Sequence, residues 1–190
     1  MPTKLLLHAA QSQLVVIDMQ VKLALAMPAD AMQAVIKNCA ILLQAANLMQ
    51  VPTIVTEQYP QGLGETLLEL KQHFSNTKLI PKTAFSACTV PAFKQHCHTD
   101  KMQIVLAGME AHICVMQTAL DLLQAGKTVF VVEDAIISRN NLNQISANKA
   151  NAIARLRDAG CVITNTESVL FEWLGHANHD AFKVISKLIK

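Results

Sequence analysis

The chain has 190 residues, the usual length of one compact domain, so we expect a single domain across residues 1–190. Hydrophobic residues make up 52% and charged residues 16%, a composition too apolar for an intrinsically disordered chain. No apolar run approaches the roughly 18 residues of a membrane-spanning helix, so we expect no membrane span. The formal charge of +2, without a basic run, argues against nucleic acid and favours a neutral small-molecule partner.

Five cysteines are scattered along the chain without C-x-x-C spacing, which predicts reduced thiols rather than a secreted disulfide framework. The apolar stretch in residues 1–8 is too short for a signal peptide, and we therefore expect a cytoplasmic protein. A chain this apolar and this poor in charge is expected to hide surface in subunit contacts, which predicts a homo-oligomer. The final helices, with Phe171, Trp173 and Leu174, are the first choice for that contact.

Short apolar runs of strand length alternate with helical patterns along the chain. The predicted strands cover residues 14–17, 53–56, 78–80, 103–107, 128–132 and 161–164.

Helical periodicity fills three of the intervals, in residues 28–52, 108–126 and from Ile145 to Gly160, and residues 168–190 predict two short helices around Gly175. Strands that are nearly all apolar are buried on both faces, and repeated strand-helix-strand units require right-handed crossovers. The pattern therefore predicts an α/β fold: a Rossmann-like three-layer sandwich with a six-stranded parallel sheet and helices on both faces.

Polar residues at the carboxyl ends of the predicted strands are the candidates for a site, because open parallel sheets bind ligands there. They are Asp18, Glu57, Lys82, Cys114 and Asp134.

Cys114 lies at the predicted start of a helix, where the dipole and free N–H groups stabilise a thiolate and a cation lowers the pKa further. It is a candidate nucleophile, although a free cysteine more often simply packs in the core.

Asp18 is costly to bury unless it is paired or functional, and the alternative is a helix cap. Lys82, taken alone, is most simply a solvated lysine. His112 is interpreted as a pocket-lining or structural group.

Four segments together resemble the isochorismatase-like cysteine hydrolases. They are LVVIDMQ at 14–20, PKTAFS at 81–86, GMEAHICV at 108–115, and VEDA at 132–135 with Ser138 and Arg139. The resemblance implies a catalytic triad of Asp18, Lys82 and Cys114, in which Asp18 is the base for the thiol and Lys82 favours the ion pair and the thiolate. Cys114 would then attack an amide-type carbonyl, and water would hydrolyse the resulting thioester.

The resemblance also implies a cis peptide bond between Met109 and Glu110, with the N–H of Glu110 directed at the oxyanion. Ala111 departs from the usual Thr at its position. The segment from Thr56 to Gly64 lacks the Asp-x-His metal motif of nicotinamidases and is similar to the metal-free branch of isochorismatase domain-containing proteins. We therefore expect no metal and no cofactor. The substrate pocket is expected to include Gln20, Gln58, Tyr59, Phe85 and His112.

The leading hypothesis is a hydrolase that acts on a C–N bond of a small amide or related compound. An interaction or scaffold protein with a residual site is the alternative, favoured by the apolar, nearly neutral chain. A redox-sensing thiol protein is a weaker hypothesis, because no second cysteine lies at the spacing of a resolving partner.

Overall fold

The computed structural model describes residues 6–139 and 147–190. Six parallel strands form one sheet in the spatial order β3-β2-β1-β4-β5-β6. They are β1 (Ser12–Ile17), β2 (Thr53–Gln58), β3 (Thr77–Lys82), β4 (Gln103–Met109), β5 (Thr128–Ile137) and β6 (Val162–Thr164). Each predicted strand is present, and the prediction of a six-stranded parallel sheet is confirmed.

Helices connect the strands and follow the last of them. In chain order they are α1 (Val21–Ala24), α2 (Ala29–Leu48), α3 (Pro60–Leu63), α4 (Leu68–Lys71), α5 (Pro91–His96), α6 (Met116–Gln124), α7 (Ala147–Asp158), α8 (Thr166–Leu174) and α9 (Phe182–Leu188). The long predicted helices correspond to α2, α6 and α7, although Ile145, assigned to the third, lies outside the described residues. Within residues 6–139 and 147–190, no helix has the length and apolar content that a bilayer crossing requires.

Successive side chains of a strand point to opposite faces of the sheet, and β1 shows both faces buried. Leu14 and Val16 belong to an apolar cluster with α2, α8 and α9. Val15 and Ile17 belong to a second cluster with α5, α6 and α7. The molecule is therefore a three-layer sandwich, as the apolar strand runs predict.

The chain changes direction across the sheet between β1 and β4. It leaves β1 for β2 and β3 on one side and then crosses to β4 on the other side, which creates a topological switch point. Gly108 in β4 pairs with Ile17 and has a φ of +113°, and a Cβ there would lie 2.1 Å from the Ile17 carbonyl oxygen. Glycine at this position lets the residues after β4 pack against the end of β1.

Asp134 was predicted to follow the fifth strand, and this placement is wrong. β5 continues to Ile137 because its register against β4 shifts between Leu106 and Gly108. Asp134 therefore lies inside β5, where its Oδ1 accepts hydrogen bonds from the N–H and hydroxyl of Thr166 at 2.8 and 2.9 Å. It anchors the start of α8 and takes no part in the switch-point site.

The predicted contact surface on the final helices also requires correction. Trp173 and Leu174 are buried in the core, and the Trp173 indole N–H donates to the hydroxyl of Ser12 at 3.0 Å. Phe171 is 40% exposed and packs edge-to-face on Phe182. Of the three residues named for a subunit contact, Phe171 alone presents substantial surface.

Candidate active site

Asp18 follows β1 in a left-handed backbone conformation, with a φ of +51°, and its side chain is fully buried. Its Oδ2 lies 2.7 Å from the Nζ of Lys82, and its Oδ1 accepts the hydroxyl proton of Thr56 at 2.7 Å. The first helix after it, α1, is preceded by Gln20, so Asp18 is not a helix cap. A buried carboxylate is costly unless it is paired, and both oxygens of Asp18 have partners.

Lys82 ends β3 and reaches past β2 to Asp18, with its side chain inaccessible to solvent. Its Nζ donates to Asp18 Oδ2 at 2.7 Å, to Gln58 Oε1 at 2.6 Å, and to the carbonyl oxygens of Ala84 and Phe85 at 3.2 Å each. These groups can only accept hydrogen bonds from it, which is the environment of an ammonium. The interpretation of Lys82 as a solvated side chain is wrong.

Cys114 lies in a π-helical turn, Ala111–Val115, that runs directly into α6. Burial and the nearby Asp18 carboxylate raise the pKa of the thiol to about 12, and the opposing Lys82 charge lowers it by less. The sequence predicts a lowered pKa from the helix start, and that prediction is wrong, because desolvation and the Asp18 carboxylate outweigh the cation. Cys114 is therefore a neutral thiol at pH 7, and a nucleophilic role requires a base.

The other four thiols are also neutral, for a related reason. Burial raises the pKa of Cys39, of Cys88 to about 12, of Cys97, and of Cys161 to about 11. Acidity therefore does not distinguish Cys114 from them. Its distinction is that both Asp18 and Lys82 act on its pKa.

Glu110 anchors the rim of the site, and the peptide bond between Met109 and Glu110 is cis, as the resemblance implies. The buried Glu110 carboxylate lies 3.3 Å from the Arg139 guanidinium and accepts the Arg139 N–H at 3.3 Å. His112 Nδ1 lies 2.9 Å from the Ser138 hydroxyl and 3.8 Å from Glu110. Burial lowers the pKa of His112 despite the carboxylate, so this side chain is a neutral rim group.

A cavity of about 420 Å³ opens beside Lys82, but neither Asp18 nor Cys114 is among the residues that line it. Tyr59, Pro81 and Val90 contribute to a lining that is mostly uncharged. Phe85 is exposed, and its carbonyl rather than its ring contacts Lys82. Tyr59 therefore lines a cavity at this end of the sheet, and its role in a substrate pocket stays a prediction.

Gln20, predicted to line the pocket, is instead fully buried. Its Nε2 donates to the carbonyl oxygens of Gln58 and Gly64 at 3.0 and 2.6 Å, and its Oε1 accepts the N–H of Gln58 at 2.7 Å. These bonds satisfy both ends of its amide and hold the segment after β2. Gln20 supports the framework and does not line the cavity.

Thr56 is a site residue that the sequence interpretation missed. It pairs with Ile17 in the parallel register, and its carbonyl accepts the N–H of Asp18 at 3.0 Å while its hydroxyl donates to the Asp18 carboxylate. The sequence offered one signal for this role, because Thr56 is a polar residue at the end of a predicted buried strand.

Glu57 is already engaged within the fold. Its Oε1 accepts the N–H of Thr66 at 2.6 Å and the Thr66 hydroxyl at 2.7 Å. In the part of the chain that the structure describes, no group of three or more His, Cys, Asp and Glu side chains is placed to hold a metal ion.

The sequence and the fold are both similar to those of known proteins. The model of the isochorismatase domain matches residues 12–168. Isochorismatase domain-containing protein 2 of Bos taurus is 39% identical over 158 residues, which cover 82% of this chain and 73% of that protein. The solved structure of the MAR1 ribonuclease from Caenorhabditis elegans is 36% identical, with a TM-score of 0.89 over 96% of this chain and 91% of that one. The structure of YcaC from Pseudomonas aeruginosa with hexane-2,5-diol and covalent acrylamide is 25% identical, with a TM-score of 0.84 over 100% and 97% of the two chains.

The doubly wound parallel sheet, the match to the isochorismatase domain and the similarity to solved structures define the class as isochorismatase-like hydrolases. The domain model covers most of the chain, and the Bos taurus relative is 39% identical in sequence. The chain therefore belongs to the isochorismatase family.

Proposed function

We propose that the protein is a cysteine hydrolase that cleaves the C–N bond of a small amide, with Asp18, Lys82 and Cys114 as its catalytic residues. The observation that carries the proposal is the fully buried Asp18–Lys82 ion pair, which acts on the Cys114 thiol at the switch point of the sheet. A buried ion pair is a costly arrangement that structural stability alone does not favour. Its position beside a thiol gives it a chemical role.

In the first half-reaction, Asp18 accepts the Cys114 proton as the sulfur attacks the carbonyl carbon of the amide. This transfer moves the proton within the site, so a thiol of raised pKa reacts without prior ionisation in solvent. Lys82 remains protonated and balances the negative charge as it passes from the carboxylate to the sulfur. Backbone N–H groups at the start of the helical turn, that of Glu110 first, hold the oxyanion.

Collapse of the tetrahedral intermediate breaks the C–N bond, and protonated Asp18 gives its proton to the departing nitrogen. Ammonia or an amine leaves, and the acyl group remains on Cys114 as a thioester. Asp18 then accepts a proton from water as the oxygen attacks the thioester. Collapse of the second tetrahedral intermediate breaks the C–S bond, the carboxylic acid product leaves, and Asp18 returns the proton to the sulfur.

The YcaC structure from Pseudomonas aeruginosa contains covalent acrylamide, whose conjugated alkene is attacked by nucleophiles, and this supports a reactive nucleophile in proteins of this fold.

Ammonia release from a panel of primary amides, hydroxamates and ureides tests the proposal. We expect turnover of at least one member by the wild-type protein, and loss of that turnover in folded Cys114→Ala. RNA belongs in the same panel because the Caenorhabditis elegans relative is called a ribonuclease. Cys39→Ala is the matched control, because Cys39 lies on α2 and is buried against β5, in a different apolar cluster from Cys114. Full activity in Cys114→Ala, or cleavage of RNA alone, would contradict the proposal.

A scaffold protein with a residual site is the second candidate, favoured by exposed apolar side chains such as Leu25, Leu68 and Phe85. The same assay separates the two, since a scaffold turns over no member of the panel.

We also propose that the protein is a homo-oligomer, because these exposed side chains add to its apolar, nearly neutral composition. Light scattering at micromolar concentration is expected to give a multiple of the 20.8 kDa chain mass. The mass of one chain would contradict this proposal.

A further inference from the structure

β2 lies between the two strands that carry the ion pair. In the order β3-β2-β1, the Lys82 side chain has to pass the end of β2 to reach Asp18. Thr56 and Gln58 lie two residues apart on β2, the spacing that places side chains on the same face of a strand. Thr56 contacts one member of the pair, Asp18, and Gln58 contacts the other, Lys82.

The side chain of Gln58 has a fixed orientation. Its Oε1 accepts the Lys82 ammonium at 2.6 Å, and its Nε2 donates to the Thr83 carbonyl oxygen at 2.7 Å. An ammonium can only donate and a carbonyl can only accept, so the amide cannot be reversed without losing both bonds. The backbone N–H and carbonyl of Gln58 are in turn bound by the buried amide of Gln20.

We propose that Gln58 is a positioning residue that holds the Lys82 ammonium between Asp18 and Cys114, with Gln20 fixing Gln58 in place. The role in the reaction rests on the proposed function, whereas the placement of Lys82 does not. Glutamine suits this position because its carbonyl oxygen binds the ammonium without adding a charge. A carboxylate there would compete with Asp18 for Lys82, and an apolar side chain would remove one of the contacts that fix the position of the ammonium.

Gln58→Met tests the proposal, with Gln95→Met as the matched control on the exposed face of α5. The rate of Cys114 alkylation by iodoacetamide, resolved by peptide mass spectrometry between pH 7 and pH 9, requires no substrate. In Gln58→Met we expect alkylation of Cys114 to slow by about three- to tenfold, because Lys82 no longer favours the thiolate fully. Gln95→Met should match the wild type. An unchanged rate in Gln58→Met would overturn the proposal.

A double-mutant cycle locates the effect in Lys82. We expect Gln58→Met to change alkylation no further once Lys82→Met is present, because both substitutions remove the same influence on Cys114. A full additional effect in that background would contradict an action through Lys82. If either protein fails to fold, Gln58→Glu serves instead: its added charge should slow alkylation, and a wild-type rate would overturn the coupling.

Turnover separates positioning from substrate contact. On any amide that the wild-type protein hydrolyses, we expect Gln58→Met to lower kcat by about 10- to 100-fold, the value of a hydrogen bond to a charged group, with KM unchanged. A raised KM with unchanged kcat would show that Gln58 binds substrate, as its predicted pocket role states, and would overturn the proposal. If the wild-type protein hydrolyses none of the panel, the proposed function fails while the alkylation result still decides the placement of Lys82.

Discussion

Asp18→Asn is expected to make the Cys114 thiol more reactive toward iodoacetamide while removing amide turnover. The Asp18 carboxylate is one of the causes that raise the pKa of Cys114, and Lys82 is a cause that lowers it. Asparagine removes the negative charge and leaves the ammonium, so the pKa falls and the thiolate fraction at pH 7 rises. Each unit of that fall increases the thiolate fraction about tenfold, provided that the pH stays below the pKa, and the alkylation rate rises by less because a thiolate of lower pKa is a weaker nucleophile.

Turnover should nevertheless be lost in Asp18→Asn, because the amide nitrogen leaves only when it receives a proton and asparagine cannot supply one. Combination with Cys114→Ala should cost little more than either substitution alone, since the residues act as one unit. The matched control is Asp158→Asn, an exposed residue at the end of α7. Retained turnover in folded Asp18→Asn would contradict the assignment of Asp18 as the base, and slower alkylation of Cys114 would contradict the account of its raised pKa.

Lys82→Met is expected to destabilise the fold by about 3–5 kcal/mol, the usual cost of leaving one partner of a buried ion pair alone. Asp18 would then keep only the Thr56 hydroxyl as a side-chain partner among the described residues. Asp18→Asn should cost less, because Lys82 retains Gln58 and two carbonyl oxygens. The free energy of unfolding in urea measures both.

The double variant Asp18→Asn with Lys82→Met gives the sharper comparison, since it removes both charges. It should be more stable than Lys82→Met alone, because no uncompensated charge remains in the interior. Lys78→Met, at an exposed position on the same strand, should change the free energy of unfolding by no more than about 0.5 kcal/mol. Equal effects of Lys78→Met and Lys82→Met would contradict the burial of the ion pair.

The sheet could be predicted from the sequence because its signals are local. Runs such as residues 14–17 and 103–107 are apolar at every position, which is typical of strands covered on both faces, and both are central strands. The residues at which strands end could not be predicted in the same way. β3 continues through Pro81, which an edge strand tolerates, and β5 extends past a register shift that no local pattern marks.

Part of the candidate site could also be predicted, because Asp18, Lys82 and Cys114 all lie at or after the carboxyl ends of strands. Their partners could not, because those contacts depend on the order of strands in space. Thr56 and Gln58 meet the ion pair only because β2 lies between β1 and β3. The raised pKa of Cys114 was missed for the same reason, since desolvation by the surrounding layers is not visible along the chain.

The central claim, that Cys114 forms a covalent bond to the acyl group of the substrate, is tested most directly by trapping the intermediate. The wild-type protein would be mixed with its best amide substrate, quenched in acid within the first turnover, and mapped by peptide mass spectrometry. We expect the mass of the acyl group on the peptide that contains Cys114, and its disappearance in Cys114→Ala. Turnover without an acyl group on this peptide, or an acyl group on another residue, would contradict the account.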